Sequence, residues 1–273
     1  MNNIKNDNTQ IMGILNLTPD SFYDGNSSIS NTQYKDKLTR IKNADILDVG
    51  AESSRPGSRP ITIKEEINRL NYFFDNGLKH DFLSIDSYKP KVIDFCLNNG
   101  FDMVNDISGG GINFENIDIA KSYNVPICIM HMLGNPYNMQ VNPKYDNIID
   151  DIMSFFDQRV NYFSKIGYDL KKLILDPGIG FGKTKEDNYN IISNVYKFKK
   201  FGCKLLIGIS RKSFLQVNND IPKDRLYSSI AMQSICAYKG VDIIRTHDVN
   251  EMINSINVIS QLNNNYGNSR LYK

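Results

Sequence analysis

The chain of 273 residues has no tryptophan, only three histidines and only four cysteines. His80, His131 and His247 form no HExxH or HxxxH arrangement, which argues against a protein-caged zinc site. Cys96, Cys128, Cys203 and Cys236 lie far apart in apolar runs and form no CxxC pair. They are expected to be buried free thiols, in keeping with a reducing cytosol. No apolar run approaches the ~18 residues that a membrane span requires. The polar, Asn-rich stretch Met1 to Gln10 has neither an apolar core nor an Arg-rich amphipathic pattern. Neither a signal nor a transit peptide is therefore expected, and the location is expected to be cytoplasmic. An excess of one charge is also lacking: 32 Lys and Arg face 30 Asp and Glu, a net charge of +2. Bulk electrostatics thus gives no case for a nucleic acid or a membrane as partner. A small anionic substrate remains open.

What is present is repetition. Strand-length apolar runs, bounded by Gly, Pro, Asn or Asp, recur at Gln10–Asn16, Ile46–Gly50, Phe82–Asp86, Met103–Ile107, Pro126–Met130, Leu173–Asp176, Leu205–Ile209 and Ile243–Thr246. Segments with helical spacing lie between them, among them Ile63–Leu78, Pro90–Asn99, Ile148–Ile166, Arg225–Tyr238 and Glu251–Leu262. Continuous apolar strands alternating with amphipathic helices predict a parallel sheet covered by helices. Eight such units in this length predict an α/β fold, a closed (β/α)₈ TIM barrel. The first βα turn lacks GxGxxG, which weakens an open dinucleotide-binding sheet. No linker divides the chain, so one domain over 1–273 is expected, with a core of about 10–262 and polar ends.

Nearly every predicted strand ends on a residue unusual for a core: Asn16, Asp48, Asp86, Asn105, His131, Asp176, Ser210 and His247. Any one could cap a helix. A whole ring of them points to the C-terminal mouth of a barrel, where such folds place their chemistry. The segment DPGIGFGKT is not a Walker A loop, because position 177 is Pro where that motif needs Gly. Its glycines are expected to let backbone approach a ligand closely. Arg211 and Lys212 are adjacent, so one is expected to be structural while the other reaches the mouth. Arg245 and His247, two apart, share a face and suit an anion. Carboxylates and a carboxamide (Asp48, Asp86, Asp176, Asn105) recognise the N–H-rich edge of a heterocycle. Together they suggest a flat polar heterocycle bearing an anionic group.

The order MGILNLTPDSFYDG, DVGAESSRPGS, SIDS, VNDISGG, MHMLGNP, LDPGIGFGKT, GISRKSF and IIRTHDV, from about Ile11 to Val249, closely resembles the dihydropteroate synthases of the pterin-binding barrel family. The resemblance implies condensation of 6-hydroxymethyl-7,8-dihydropterin diphosphate with p-aminobenzoate. It implies a pterin pocket of Asp86, Asn105, Asp176 and Lys212, and a diphosphate site of Asn16, Arg245 and His247. Mg²⁺ would bridge that diphosphate, with Asn16 as its protein ligand and Asp24 completing the arrangement. The p-aminobenzoate pocket would comprise Phe22, Ser54, Arg55, Pro56, Phe181, Lys212 and Ser213, and sulfonamides should compete there. Asp24, Arg55, Lys212, Arg245 and His247 would form the catalytic set. A homodimer is expected on the same ground.

Three positions depart from the family pattern: Ser54 stands where many members carry Thr, RKSFLQ lacks the usual Gly, and Ser228 replaces a common Gly. Two other readings stay open. One is a methyltetrahydrofolate–corrinoid methyltransferase on the same barrel, which would not require the TPDSF, SRPG and SRKS segments. The other is a catalytically silent pterin-binding homologue.

Overall fold

The computed structural model describes residues 9–18, 31–76, 79–111, 113–217 and 221–265. Strands β1 (Gln10–Asn16), β2 (Ile46–Gly50), β3 (Leu83–Asp86), β4 (Met103–Asp106), β5 (Ile127–Met130), β6 (Leu173–Asp176), β7 (Lys204–Gly208) and β8 (Ile243–Thr246) pair in parallel and in chain order. Pairing of β1 with β8 closes the barrel. Among the described residues, eight α-helices follow the strands in turn. They are α1 (Asn31–Ile41), α2 (Ile63–Asn76), α3 (Pro90–Asn98), α4 (Glu115–Ser122), α5 (Ile148–Lys165), α6 (Lys185–Asn194), α7 (Leu226–Tyr238) and α8 (Val249–Asn265).

The strand limits differ from the expected ones by a residue in several places. β5 begins at Ile127 rather than Pro126, since proline has no N–H for the ladder. β7 runs one residue earlier than expected, Lys204–Gly208. Helix starts are set by caps that apolar spacing does not reveal. Thr184 and Asp187 form a reciprocal capping box on α6, and Asn147 accepts from two amides of α5.

Alternation along each strand divides the core in two. Outward residues such as Leu47, Val49, Ile127, Ile129, Leu205 and Ile207 pack beneath the helices. Inward residues Met12, Ile46, Met103, Cys128, Ile174, Leu206 and Ile243 form a separate apolar floor. The register places Cys128 beside Ile174 and Leu206 beside Ile243. Residues two positions further along a strand share its face. Above that floor stand Asp48, Asn105, Met130, Asp176, Gly208 and Arg245, with Asp86 beside Asn105 in register. The lumen therefore changes from apolar to polar within one layer. All four cysteines are free and buried, as expected. Among the described residues no helix is long and apolar enough to cross a membrane.

Candidate active site

The polar layer is cross-linked. Arg245 donates through Nε to Asp48 and through Nη2 to Asp86, each at 2.6 Å. Asn105 donates to the same Asp48 oxygen at 2.9 Å. The other Asp48 oxygen is buried without a partner among the described residues. Asp48 lies within β2, two residues before its end, so it belongs to the lumen wall rather than to a strand tip. Burial pushes the Asp86 carboxyl up to about 7 against the pull of Arg245, with Asp48 adding to the rise. Burial also raises Asp176, which Lys212 and the Gly178 amide oppose. One Asp176 oxygen accepts from that amide at 2.7 Å.

Lys212 extends from the chain after β7. Its ammonium donates to the Ile179 carbonyl and sits 4.6 Å from the centre of the Phe181 ring. Burial lowers Lys212 to about 8, partly offset by Asp176. Arg211 turns the other way, at φ 58°, and its guanidinium pairs with Asp248 at 2.5 and 3.0 Å. The expected division of labour between these neighbours therefore holds. His247 lies two residues beyond Arg245, its Nδ1 3.0 Å from Ser210 Oγ. Burial, reinforced by Arg245, lowers it to about 3. At neutral pH the pair thus supplies one cation and one neutral imidazole. Asn16 ends β1, and its carboxamide makes no hydrogen bond among the described residues.

Ser54, Arg55, Pro56 and Gly57 form the apex of the loop after β2. Arg55 and Pro56 are exposed there. Gly57 donates to the Pro136 carbonyl at 3.1 Å. A small recess brings Ser54 and Asp86 together with Glu52, Tyr88 and Ile107. It adjoins a cavity of about 590 Å³ that reaches Met130 of the lumen wall. Phe181, Lys212 and Ser213 come together on the β6–β7 side. Phe22 and Asp24 lie outside the described residues.

One expectation is corrected here. His131 does not face the mouth, because alternation puts Met130 inward. His131 instead packs against Tyr145 and Phe155, with its Nδ1 3.1 Å from Lys183. Of the glycines of DPGIGFGKT, Gly178 and Gly182 pack closely on the chain after β5, while Gly180 lies against the Lys212 side chain. A Cβ on Gly178, at φ 70°, would stand 2.0 Å from the His131 carbonyl oxygen. The residue missed was Lys183, which is buried and donates to the carbonyls of His131 (3.1 Å) and Phe181 (2.9 Å). Burial lowers it to about 7. Its signal was a lysine inside a glycine loop that has no phosphate-loop spacing. Asp106 was passed over as well. Outward on β4, it accepts from the amides of Ser108 and Gly110, as the Asp-Ile-Ser-Gly run allows.

Among the described residues no group of three or more His, Cys, Asp or Glu is disposed to hold a metal ion. The mouth is instead a set of hydrogen-bonding carboxylates beside two cations, suited to a flat N–H-rich ring and an anion.

Residues 12–247 match the family model described as pterin binding enzyme. The chain is 38% identical over 259 residues to the dihydropteroate synthase of Escherichia coli, covering 91% of this chain and 90% of that one. A crystal structure of the Yersinia pestis dihydropteroate synthase with a sulfonamide drug complex superposes with a TM-score of 0.85. It is 35% identical and covers 94% of this chain and 95% of that one. The Clostridium difficile dihydropteroate synthase, solved in the presence of pteroic acid, gives 0.83 at 34% identity, with 96% and 99% covered. The fold and polar lumen define a pterin-binding barrel enzyme. The chain belongs to that family and, within it, to the dihydropteroate synthases, which are transferases.

Proposed function

We infer that the barrel mouth joins 6-hydroxymethyl-7,8-dihydropterin diphosphate to p-aminobenzoate, giving 7,8-dihydropteroate and diphosphate in folate biosynthesis. The observation that carries this reading is the register-set polar layer, Asp48, Asp86, Asn105, Asp176 and Arg245, directly above an apolar floor. Asp176, with one oxygen unengaged among the described residues, accepts from the aminopyrimidine edge. Asp86, Asn105 and Lys212 complete the contacts around the pterin ring.

The reaction breaks the bond between the pterin methylene carbon and the diphosphate oxygen. The aniline nitrogen then forms a bond to that carbon and loses a proton. No covalent nucleophile is required. The protein neutralises the departing anion and orients the amine. Arg245, His247 and Asn16 hold the diphosphate. A charged Arg beside a neutral imidazole donor and a free carboxamide suits phosphate oxygens. Asn16 would offer a carboxamide oxygen to a Mg²⁺ carried on the phosphates, and Asp24 would add a carboxylate. Magnesium, when bound, offsets charge on the leaving group. Phe22, Ser54, Arg55, Pro56, Phe181, Lys212 and Ser213 take the p-aminobenzoate, and sulfonamides compete for that place. Asp24, Arg55, Lys212, Arg245 and His247 carry the catalytic steps.

A cytoplasmic homodimer is the setting we favour. Exposed Tyr227 and Ile235 on α7 and Val258 on the adjoining α8 support pairing through barrel helices.

The test is to mix purified protein with the two substrates and Mg²⁺ and follow dihydropteroate and diphosphate. Equimolar products are expected. Pterin binding without product would favour a silent barrel. Methyl transfer to a corrinoid protein would favour the methyltransferase reading.

A further inference from the structure

The loop between β2 and α2 carries Ser54, Arg55 and Pro56 at an exposed apex, yet its base is tightly bound. Lys89, at the N-cap position of α3, donates its ammonium to Glu52, to Glu66 at 2.7 Å and to the Ile61 carbonyl at 2.7 Å. All three of its N–H groups are used. Glu52 also accepts from the Ile61 amide at 2.9 Å, which ties the two ends of the loop to each other. Glu66, only 1% exposed, has its second oxygen filled by Ser87 at 2.8 Å. Arg69 fixes the Ala51 carbonyl at 2.8 Å, and Ser58 donates to the Ser53 carbonyl at 2.6 Å.

Lys89 follows the lumen residue Asp86 by three positions, on the same connection. It therefore joins the strand that bears a pterin-facing carboxylate to the loop that bears Ser54 and Arg55. The ten-residue loop, Glu52 to Ile61, is thus fastened at its base, and its apex is held by the Gly57 amide on Pro136 while Arg55 and Pro56 stay exposed. Fixing its base in advance removes ordering entropy from the binding of whatever the apex contacts.

We propose that Lys89 is a positioning residue for p-aminobenzoate, acting through Glu52 and Ile61 on the placement of Ser54 and Arg55. The inference rests on the reading of that loop as the amine-substrate loop. Lys89 makes no hydrogen bond to the polar layer, but its partner Glu66 is one of the charges that act on Asp86, so a variant that also neutralises Glu66 separates an effect on the loop from one on the pterin side.

The test uses the full chain with Lys89→Met. A second variant, Lys89→Met with Glu66→Gln, removes the stranded buried carboxylate and guards against misfolding. In both, KM for p-aminobenzoate is expected to rise about 10-fold, with kcat and dihydropterin diphosphate affinity nearly unchanged. Amide hydrogen exchange should quicken across residues 53–60 and stay unchanged across 90–98. Lys89→Arg, which keeps the charge, should fall between. An unchanged KM, or equal losses for both substrates, would overturn the proposal. Absence of dihydropteroate from the unsubstituted protein would overturn the reading on which it rests, while exchange at 53–60 would still report the clamp.

Discussion

The two ends of the barrel lumen share one cylinder of strands and differ in almost everything else. At the floor, Met12, Ile46, Met103, Cys128, Ile174, Leu206 and Ile243 fill the interior with apolar contacts. One layer higher, Asp48, Asp86, Asn105, Asp176 and Arg245 fill equivalent positions with charge and hydrogen-bonding groups. The floor gains stability from burial. The mouth gives some of it up, as the upward displacement of Asp86 and Asp176 and the lowering of Lys212 show. The same backbone thus separates the task of holding the barrel from the task of meeting a ligand.

The largest effect on this division is expected from Arg245→Ala. It leaves Asp48 and Asp86 unpaired in a buried layer, a loss of roughly 3–5 kcal/mol in a denaturant melt, together with turnover. Adding Asp48→Asn to that variant should recover part of the stability and none of the turnover. At the other end, Leu206→Ala should cost about 2–5 kcal/mol by opening a cavity. KM for both substrates should stay at the level of the unsubstituted protein. A shift in either would mean that floor and mouth are not separate.

Stability against pH sharpens the contrast. Asp86 is held at about 7, above its ordinary value of 3.8, so its contribution is fully present below the ordinary value and is lost as pH rises towards 7. Lys183 and Lys212 are held near 7 and 8, below 10.5. Their cost is present below those values and is relieved as pH rises towards 10.5. Asp86 should therefore pull the melting temperature down between pH 4 and 7, against His131 and His247, whose lowered values act the other way over the same range. Asp86→Asn should reduce that slope, and Lys183→Met should reduce the recovery on the alkaline side. Identical pH profiles in all three proteins would contradict these assignments. The smallest effect concerns neither end. Gln233, buried on α7, leaves both amide atoms without partners among the described residues. Gln233→Leu should raise stability by about 1 kcal/mol in a thermal melt without altering kinetics.

Much of this division was legible from residue order. Eight apolar runs alternating with helical spacing imply the barrel, because a parallel strand must be covered on both faces. Asp176 and Asp86 stand out because a carboxylate ending an apolar strand has no reason to be in a core. His131 misled for a physical reason: a strand end does not tell which face its last side chain takes, and here Met130 takes the lumen. Pairing was equally hidden. Nothing local to Arg245 reveals that its partners lie on β2 and β3, since those contacts arise only when the barrel closes. Lys183 and Lys89 escaped notice because a buried lysine looks like any surface lysine until its acceptors are known.

The most direct measurement is the affinity of a dihydropterin for Asp176→Asn, read by calorimetry beside the unsubstituted protein and Leu206→Ala. Replacing a charged acceptor by a carboxamide should weaken binding by roughly 10- to 100-fold, the range expected for a hydrogen bond to a charged group. Leu206→Ala should bind as the unsubstituted protein does. Equal affinity in all three would place the pterin outside the polar layer of the lumen and contradict the assignment.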